Sequence, residues 1–349
     1  MTVLFVTNHV PADRRGAFAA LHRRVPLELA LFGGRSHHAA AGLDDPGVPY
    51  RRVAQRRLYR LAAGGGYTAV VCGTAGRVAL PASYAGARRA GVPFVLWSAL
   101  WAQPRSPAHL AGALLLRRIY ADADAVVTYG PHVAAHARHR GAQRVLVAPQ
   151  AVDQAFWSVP GPPAPPGPTR FVWIGRDAPG KGRAELLAAW EHSGLAAAGA
   201  ELLLVGVAAE GRPGPPGVRA HPPADATEVR NFYAAADVLV VPSVPTATFR
   251  EPWGLVANEA MHQGLPVIAS DAVGAAAGGL IRDGRNGLVV PAGDRDALAA
   301  ALRRLHEEPE LRRRMGGQAR RDAAAFTFEA WADGMAAALR VDPIREDAL

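Results

Sequence analysis

Arg170-Phe171-Val172-Trp173-Ile174-Gly175-Arg176-Asp177-Ala178-Pro179-Gly180-Lys181-Gly182 is an apolar run that ends in a glycine-bracketed basic turn. An Ala/Leu pattern of helical period follows it. A strand, a loop and a helix start in that order form the first half of a βαβ unit. Lys181 is singular: of the 39 Lys and Arg residues in the chain it is the one Lys. Guanidinium is a planar fork, whereas ammonium is a compact, strongly hydrated point charge. A point charge beside Arg176, at a strand end and ahead of free helix amides, suits a phosphate oxygen. Read alone, the turn fits either an anion site or a solvated basic loop. It is not the nucleoside-triphosphate loop, because the Gly-x4-Gly-Lys-Ser/Thr spacing is absent.

The same alternation extends in both directions. Toward the N-terminus, strands are expected at 3–7, 27–32, 69–72, 94–97, 125–129 and 144–148. Helices are expected at about 16–24, 77–90, 107–121 and 131–140. Toward the C-terminus, strands are expected at 170–174, 201–205, 238–241, 266–269 and 287–290, with helices at about 182–193, 226–235, 254–263 and 294–307. Continuous apolar strands separated by helices predict parallel sheets covered on both faces. Between the two halves, residues 158–168 hold six prolines. Pro fixes φ and lacks a backbone donor, so this stretch is expected to be a linker. The expectation is therefore an α/β chain of two Rossmann-like domains, 1–157 and 169–327, with parallel sheets facing a central cleft. Residues 310–340 read as helix interrupted at Gly316-Gly317 and near Phe326-Thr327-Phe328. The last helix, about 328–349, is expected to pack back on the first domain.

At 349 residues and 50% hydrophobic composition, two sizeable cores can be buried. The Ala, Gly, Pro and Arg bias reads as a high-GC coding sequence. A formal charge of +9 favours anionic partners. Cys72 is the one cysteine, lies in an apolar run, and is expected to be buried and inert in a reducing cytoplasm. Met1–Asn8 reads as a first strand rather than a signal segment. No apolar run approaches a membrane span. A cytoplasmic protein, at most peripheral to a membrane, is expected.

Two further stretches carry chemistry. In Glu251-Pro252-Trp253-Gly254-Leu255-Val256-Ala257-Asn258-Glu259, two carboxylates flank a glycine that opens a helix. Glu251 falls in the loop, Glu259 on the second turn, and the first-turn amides lie between them. Amides bind phosphate and carboxylates accept from hydroxyls, so the segment suits a sugar–diphosphate–ribose ligand. Two unrelated solvated Glu residues would also fit. Gly264-Leu265-Pro266-Val267-Ile268-Ala269-Ser270-Asp271 reads as a buried strand entering a glycine-rich loop. The turn dipeptides Asp283-Gly284 and Asn286-Gly287 follow.

Together these pieces, with Ala236-Asp237-Val238, Pro242-Ser243 and Gly293-Asp294 standing in order, resemble the retaining GT-B glycosyltransferases of family four, the glycosyl transferases group 1. The resemblance covers 171–328. It implies transfer of a sugar from a nucleoside-diphosphate donor with retention at the anomeric carbon. It implies catalytic roles for Glu251, Arg176 and Lys181: the two cations at the diphosphate and Glu251 on hydroxyls of the transferred sugar. Glu259 would hold the ribose, the backbone at Gly254, Leu255 and Val256 would reach the phosphates, and the base would pack near 219–221. A UDP-sugar is expected ahead of a GDP-sugar, with no cofactor. No metal is expected, because no His/Asp cluster has ligand spacing.

The first half resembles the family less. Where many members have a Gly-Gly loop after the first strand, Asp13-Arg14-Arg15-Gly16 offers Gly16 as the donor-binding glycine. His109 and His132 do not map onto the family's histidine. Ala148-Pro149-Gln150-Ala151-Val152-Asp153 looks like a variant of its Asn-Gly-Val-Asp segment. Trp97 and Trp101 could stack on a sugar or fill the core. An epimerase of the same architecture is the alternative enzyme. A nucleic-acid-binding protein fits less well, because the Arg residues are scattered and no aromatic-interleaved basic motif appears. The densest cluster, Arg51, Arg52, Arg56, Arg57 and Arg60, suits either a solvated helix face or a dock for anionic lipid or acceptor. Partners are thus a nucleotide-sugar and an acceptor. Acceptor identity and oligomeric state stay open.

Overall fold

A computed structural model describes residues 2–33, 45–162, 166–207 and 214–340. The chain divides into two units: Met1–Ala151 with Thr327–Leu349, and Val152–Phe326.

In the first unit the elements run β1 (Thr2–Thr7), α1 (Arg15–Arg24), β2 (Leu27–Leu31), β3 (Tyr50–Arg52), α2 (Leu58–Ala63), β4 (Tyr67–Gly73), α3 (Ala79–Ala90), β5 (Phe94–Ser98), α4 (Pro107–Ala111), α5 (Ala113–Asp122), β6 (Ala125–Thr128), α6 (Pro131–His139) and β7 (Val145–Val147). The second unit holds α7 (Gln154–Trp157), β8 (Arg170–Ile174), α8 (Arg183–Ser193), β9 (Glu201–Val205), β10 (Val218–His221), α9 (Ala226–Ala234), β11 (Val238–Val241), α10 (Leu255–His262), β12 (Val267–Ser270), α11 (Gly274–Ala277), β13 (Gly287–Val290), α12 (Arg295–Glu307) and α13 (Pro309–Ala323). The last helix, α14 (Phe328–Leu339), belongs to the first unit.

The first sheet is ordered β3-β2-β1-β4-β5-β6-β7 and the second β10-β9-β8-β11-β12-β13. Every pairing in both is parallel. Both sheets are therefore doubly wound, and both reverse their winding once: beside β1 and β4 in the first, beside β8 and β11 in the second. Two neighbouring strands whose connections leave in opposite directions hold their following loops apart. The crevice at their carboxyl ends is where such sheets bind ligands.

The strands that the apolar runs predict are present, and two more appear at sheet edges. Tyr50–Arg52 is wholly exposed, and Val218–His221 has no buried residue. Neither has an apolar pattern, because an edge strand can face water along one side. Arg51 and Arg52 thus lie on an edge strand and not on a helix face. Arg56 and Arg57 follow in a 3-10 turn, Gln55–Arg57, and Arg60 lies in α2.

The first sheet is covered on one face by α1 and α14, with Phe18 edge-on to Trp331 at 5.4 Å. The other face is covered by α2, α3, α5 and α6 through Leu58, Leu80, Ile119 and Ala137. Thr327 caps α14 by accepting from Ala330 N at 3.0 Å. Arg24 pairs with Asp333 at 2.6 Å. Arg144 donates to the carbonyls of Ala337 and Ala338 at the helix end, where the backbone dipole favours a cation.

Two features differ from the sequence expectation. The units divide at Ala151 and Val152, ahead of the Pro-rich stretch, because residues 152–157 pack on the second unit. Asp153 caps α7 by accepting from Phe156 N at 3.1 Å, and Trp157 lies 5.9 Å from the Tyr233 ring. Of the expected linker, 163–165 lie outside the described residues, as do 341–349 of the expected last helix. Finally, α13 runs unbroken through Gly316-Gly317. A Cβ at Gly316 would run into the Gly264 carbonyl, so the glycine there serves a close approach rather than a helix break.

Candidate active site

The loops that follow β8 and β11 leave the second sheet at its winding reversal, and they interlock. Gly180 O accepts from Val244 N at 3.0 Å. Gly182 has φ +72° and forms the N-cap of α8, and a Cβ there would overlap the Pro242 carbonyl. Any other residue type at 182 would meet both a strained backbone and that overlap. The two glycines set Lys181 between the loops, and Trp173 Nε1 donates to its carbonyl at 3.3 Å.

From that position Lys181 Nζ donates to Glu251 Oε2 at 2.5 Å, joining residues 70 apart in sequence. Glu251 is 7% exposed. Ser243 Oγ donates to the same carboxylate oxygen at 3.4 Å. The Phe249 ring lies 5.5 Å from Nζ, and Thr246 Oγ1 holds the Phe249 amide at 3.0 Å. A cation with a carboxylate on one side and an aromatic face on another is restricted in position.

A third loop supports Glu251. Its carbonyl accepts from Gly274 N at 3.1 Å, and Trp253 O accepts from Ala275 N at 2.8 Å. These bonds tie the segment after β11 to α11, which follows β12. Trp253 Nε1 donates to the buried Asn258 Oδ1 at 2.7 Å, fixing the entry into α10. Gly254 is the N-cap of α10 with φ +89°, so the amides of Leu255 and Val256 form the first turn.

Glu259 lies one turn further on. Its Oε2 accepts from Tyr233 Oη at 2.8 Å. Tyr233 is fully buried; that burial, and then the Glu259 charge and hydrogen bond, push its phenol well above the usual tyrosine range. The phenol therefore stays protonated and donates at every physiological pH, which fixes the carboxylate.

Arg176 stands on the loop that carries Lys181, and the other expected residues lie on separate elements. Arg176 is exposed in the loop after β8, and its neighbour Asp177 pairs with Arg183 at 2.8 Å. Residues 219–221 lie on the edge strand β10, where His221 pairs with Glu228 at 3.3 Å and meets the Phe232 ring at 4.7 Å. In the first unit, Gly16 sits inside α1 and not in a glycine loop. A Cβ at Gly16 would overlap the Phe328 ring of α14, so its small size serves helix packing. Trp97 is partly buried and packs against the core, edge-on to Phe5 at 5.5 Å and to Tyr129 at 5.8 Å. Trp101 stands against His132 at 4.8 Å. His109 is exposed, with Ser106 Oγ at 2.6 Å from Nδ1. Gln150 is buried and accepts from Arg14. Cys72 is buried, and desolvation raises its thiol to about 12.

Ser243, Phe249 and Tyr233 were not singled out as site residues from sequence. Pro242-Ser243 stands among the ordered motif pieces and could have flagged the serine. An aromatic on an amphipathic helix such as α9 reads as core, so Tyr233 carried no such signal. Among the described residues, no group of three or more His, Cys, Asp or Glu is placed to hold a metal ion.

Residues 168–308 match the family model described as glycosyl transferases group 1. The chain is 41% identical over 122 residues to a D-inositol 3-phosphate glycosyltransferase of Streptomyces griseus, covering 34% of this chain and 24% of that protein. It is 38% identical over 126 residues to the protein of the same name from Thermobifida fusca, covering 35% and 27%. These matches span about a quarter of the length of the curated relatives. Among solved structures, the chain superposes on Anabaena HepE in complex with UDP with a TM-score of 0.75 at 19% identity, covering 97% of this chain and 99% of that one. On the sucrose-phosphate synthase of Thermosynechococcus elongatus the TM-score is 0.72 at 20% identity, covering 96% and 97%. At such identities the likeness establishes the fold.

Proposed function

We propose, from the match of residues 168–308 to the glycosyl transferases group 1 model and a fold shared with GT-B glycosyltransferases, that this chain transfers a sugar from a nucleoside-diphosphate donor to an acceptor hydroxyl with retention of anomeric configuration. The observation that carries the reading is the 2.5 Å contact of Lys181 Nζ with Glu251 at the winding reversal of the second sheet. A cation held there faces the crevice that a nucleotide ligand would occupy.

In this reading the bond between the anomeric carbon and the diphosphate oxygen breaks, and negative charge grows on the departing diphosphate. Lys181, Arg176 and the first-turn amides of α10 stabilise that charge in place. The acceptor oxygen bonds to the anomeric carbon from the face the diphosphate leaves, and its proton passes to a diphosphate oxygen. Glu251 anchors Lys181 and accepts from hydroxyls of the transferred sugar. Glu259, held by Tyr233, accepts from the ribose hydroxyls. The preferred donor is a UDP-sugar, a reading supported by the UDP-bound HepE neighbour.

Proton NMR of an early reaction mixture tests the stereochemistry: the product should keep the donor's anomeric coupling. An inverted product overturns the reading. Turnover should also survive excess chelator, because side-chain cations and amides face the diphosphate. Complete loss with EDTA, restored by magnesium or manganese, would overturn that part.

Glu259→Ala should weaken UDP binding by at least about tenfold. Hydrogen bonds to a charged carboxylate contribute about 1.5–3 kcal/mol each. Tyr233→Phe should weaken it less, since the carboxylate remains and only its anchor is lost. Calorimetric titration with UDP checks both, and an unchanged UDP affinity in Glu259→Ala removes Glu259 from the ribose site.

A further inference from the structure

Residues 46–152 hold fourteen Arg and only two acidic residues, Asp122 and Asp124. Arg88 pairs with both, at 2.9 and 2.8 Å. The chain as a whole carries a formal charge of +9, so its entire positive excess resides in this stretch. That same stretch builds the helix layer α2, α3, α5 and α6 on one face of the first sheet. Within the layer, α3 packs against α2 on one side and α5 on the other, and α4 packs against α5.

Arg56, Arg57 and Arg60 are exposed at the α2 end, and Arg105, Arg117 and Arg118 at the α4–α5 end. Among the latter three stand leucines that the core does not take. Leu114 is 82% exposed, Leu110 61% and Leu115 48%. Single exposed apolar residues are ordinary. Three leucines on adjoining short helices, within a segment, 105–118, that has no Asp or Glu and is bracketed by arginines, form a patch of defined chemistry.

We propose that this helix layer docks on an anionic lipid bilayer. Leu110, Leu114 and Leu115 enter the boundary between headgroups and acyl chains, and the flanking arginines meet lipid phosphates. Charge complementarity selects this occupant. A second copy of the chain would bring one basic face against another. A nucleic acid would satisfy the arginines and leave the leucines in water. Arg51, included in the basic cluster read from sequence, contributes less, because it pairs with Glu28 at 2.5 Å. The proposal does not depend on the transferase reading, and its test uses no donor.

The test is co-sedimentation of the full chain with vesicles of phosphatidylcholine alone, or of phosphatidylcholine and phosphatidylglycerol in equal parts, at low and high salt. Binding is expected to the anionic vesicles only, and to fall steeply as salt screens the arginines. The pair Leu114→Ser with Leu115→Ser should reduce partitioning at least about tenfold, since burial of apolar side chains supplies part of the affinity. Thermal melting of that variant should match the parent, because both side chains are exposed. If the variant melts early, the parent's preference between the two vesicle compositions decides alone. Failure to bind anionic vesicles, equal binding to both compositions, or indifference to the leucine pair overturns the proposal. Tighter binding to duplex DNA than to anionic vesicles, insensitive to the leucines, would assign the face to nucleic acid instead. A dimer abolished by the leucine change would assign it to self-association.

Discussion

Lys181→Ala is expected to lower sugar transfer roughly 100–1,000-fold, the usual cost of removing one preorganised charge from a developing anion. The variant also leaves Glu251 buried without its cation, so the melting temperature should fall, by an amount matching about 1–3 kcal/mol. Stability and chemistry must therefore be separated, and Lys181→Arg does so. Arginine keeps a positive charge that can pair with Glu251, so the fold should melt near the parent temperature. Its planar fork cannot take the place of a compact ammonium between Gly180 and Gly182 and beside Phe249. Transfer should still fall at least about tenfold. Parent-like kcat/KM in Lys181→Ala would remove the ammonium from the reaction.

Glu251→Gln should lower transfer by roughly 100-fold or more while leaving UDP binding intact or tighter. Gln fills the same volume and can still accept from Lys181 through its amide oxygen. What disappears is the negative charge that competes with diphosphate for the ammonium. The Lys181 side chain is 24% exposed, so water offsets part of the lost pairing and the fold should persist. Calorimetry with UDP and a transfer assay read the two effects independently. Parallel loss of UDP binding and of transfer would place Glu251 on the diphosphate side and reject its role at the sugar.

The residue choices around the pair show why its position is so constrained. Lys181 is flanked by glycines whose left-handed backbone lets one loop lie against the next. Glu251 is held through its carbonyl as well as its carboxylate. An ammonium on a flexible stem would otherwise lose rotamer freedom each time it met a ligand. Here the folded loops restrict it beforehand.

What the sequence by itself determined were the features written within a few residues of each other. Continuous apolar runs located the central strands of both sheets. Helical periodicity located α1, α3, α8 and α12. The residue types at 176, 181, 251 and 259 indicated anion and hydroxyl chemistry. Tertiary structure decided the features whose energetics lie between distant segments. Edge strands β3 and β10 carry no apolar signature, because their outer side faces water, and pairing with β2 and β9 alone makes them strands. Gly316-Gly317 looked like a helix break; contact with Gly264 makes it the interior of α13. Gly16 was read for its place after β1, and only the tertiary structure brings the Phe328 ring of α14 against it. The pairing of Lys181 with Glu251 depends on strand order. Parallel crossovers set β8 beside β11, and nothing local to either segment encodes that neighbour.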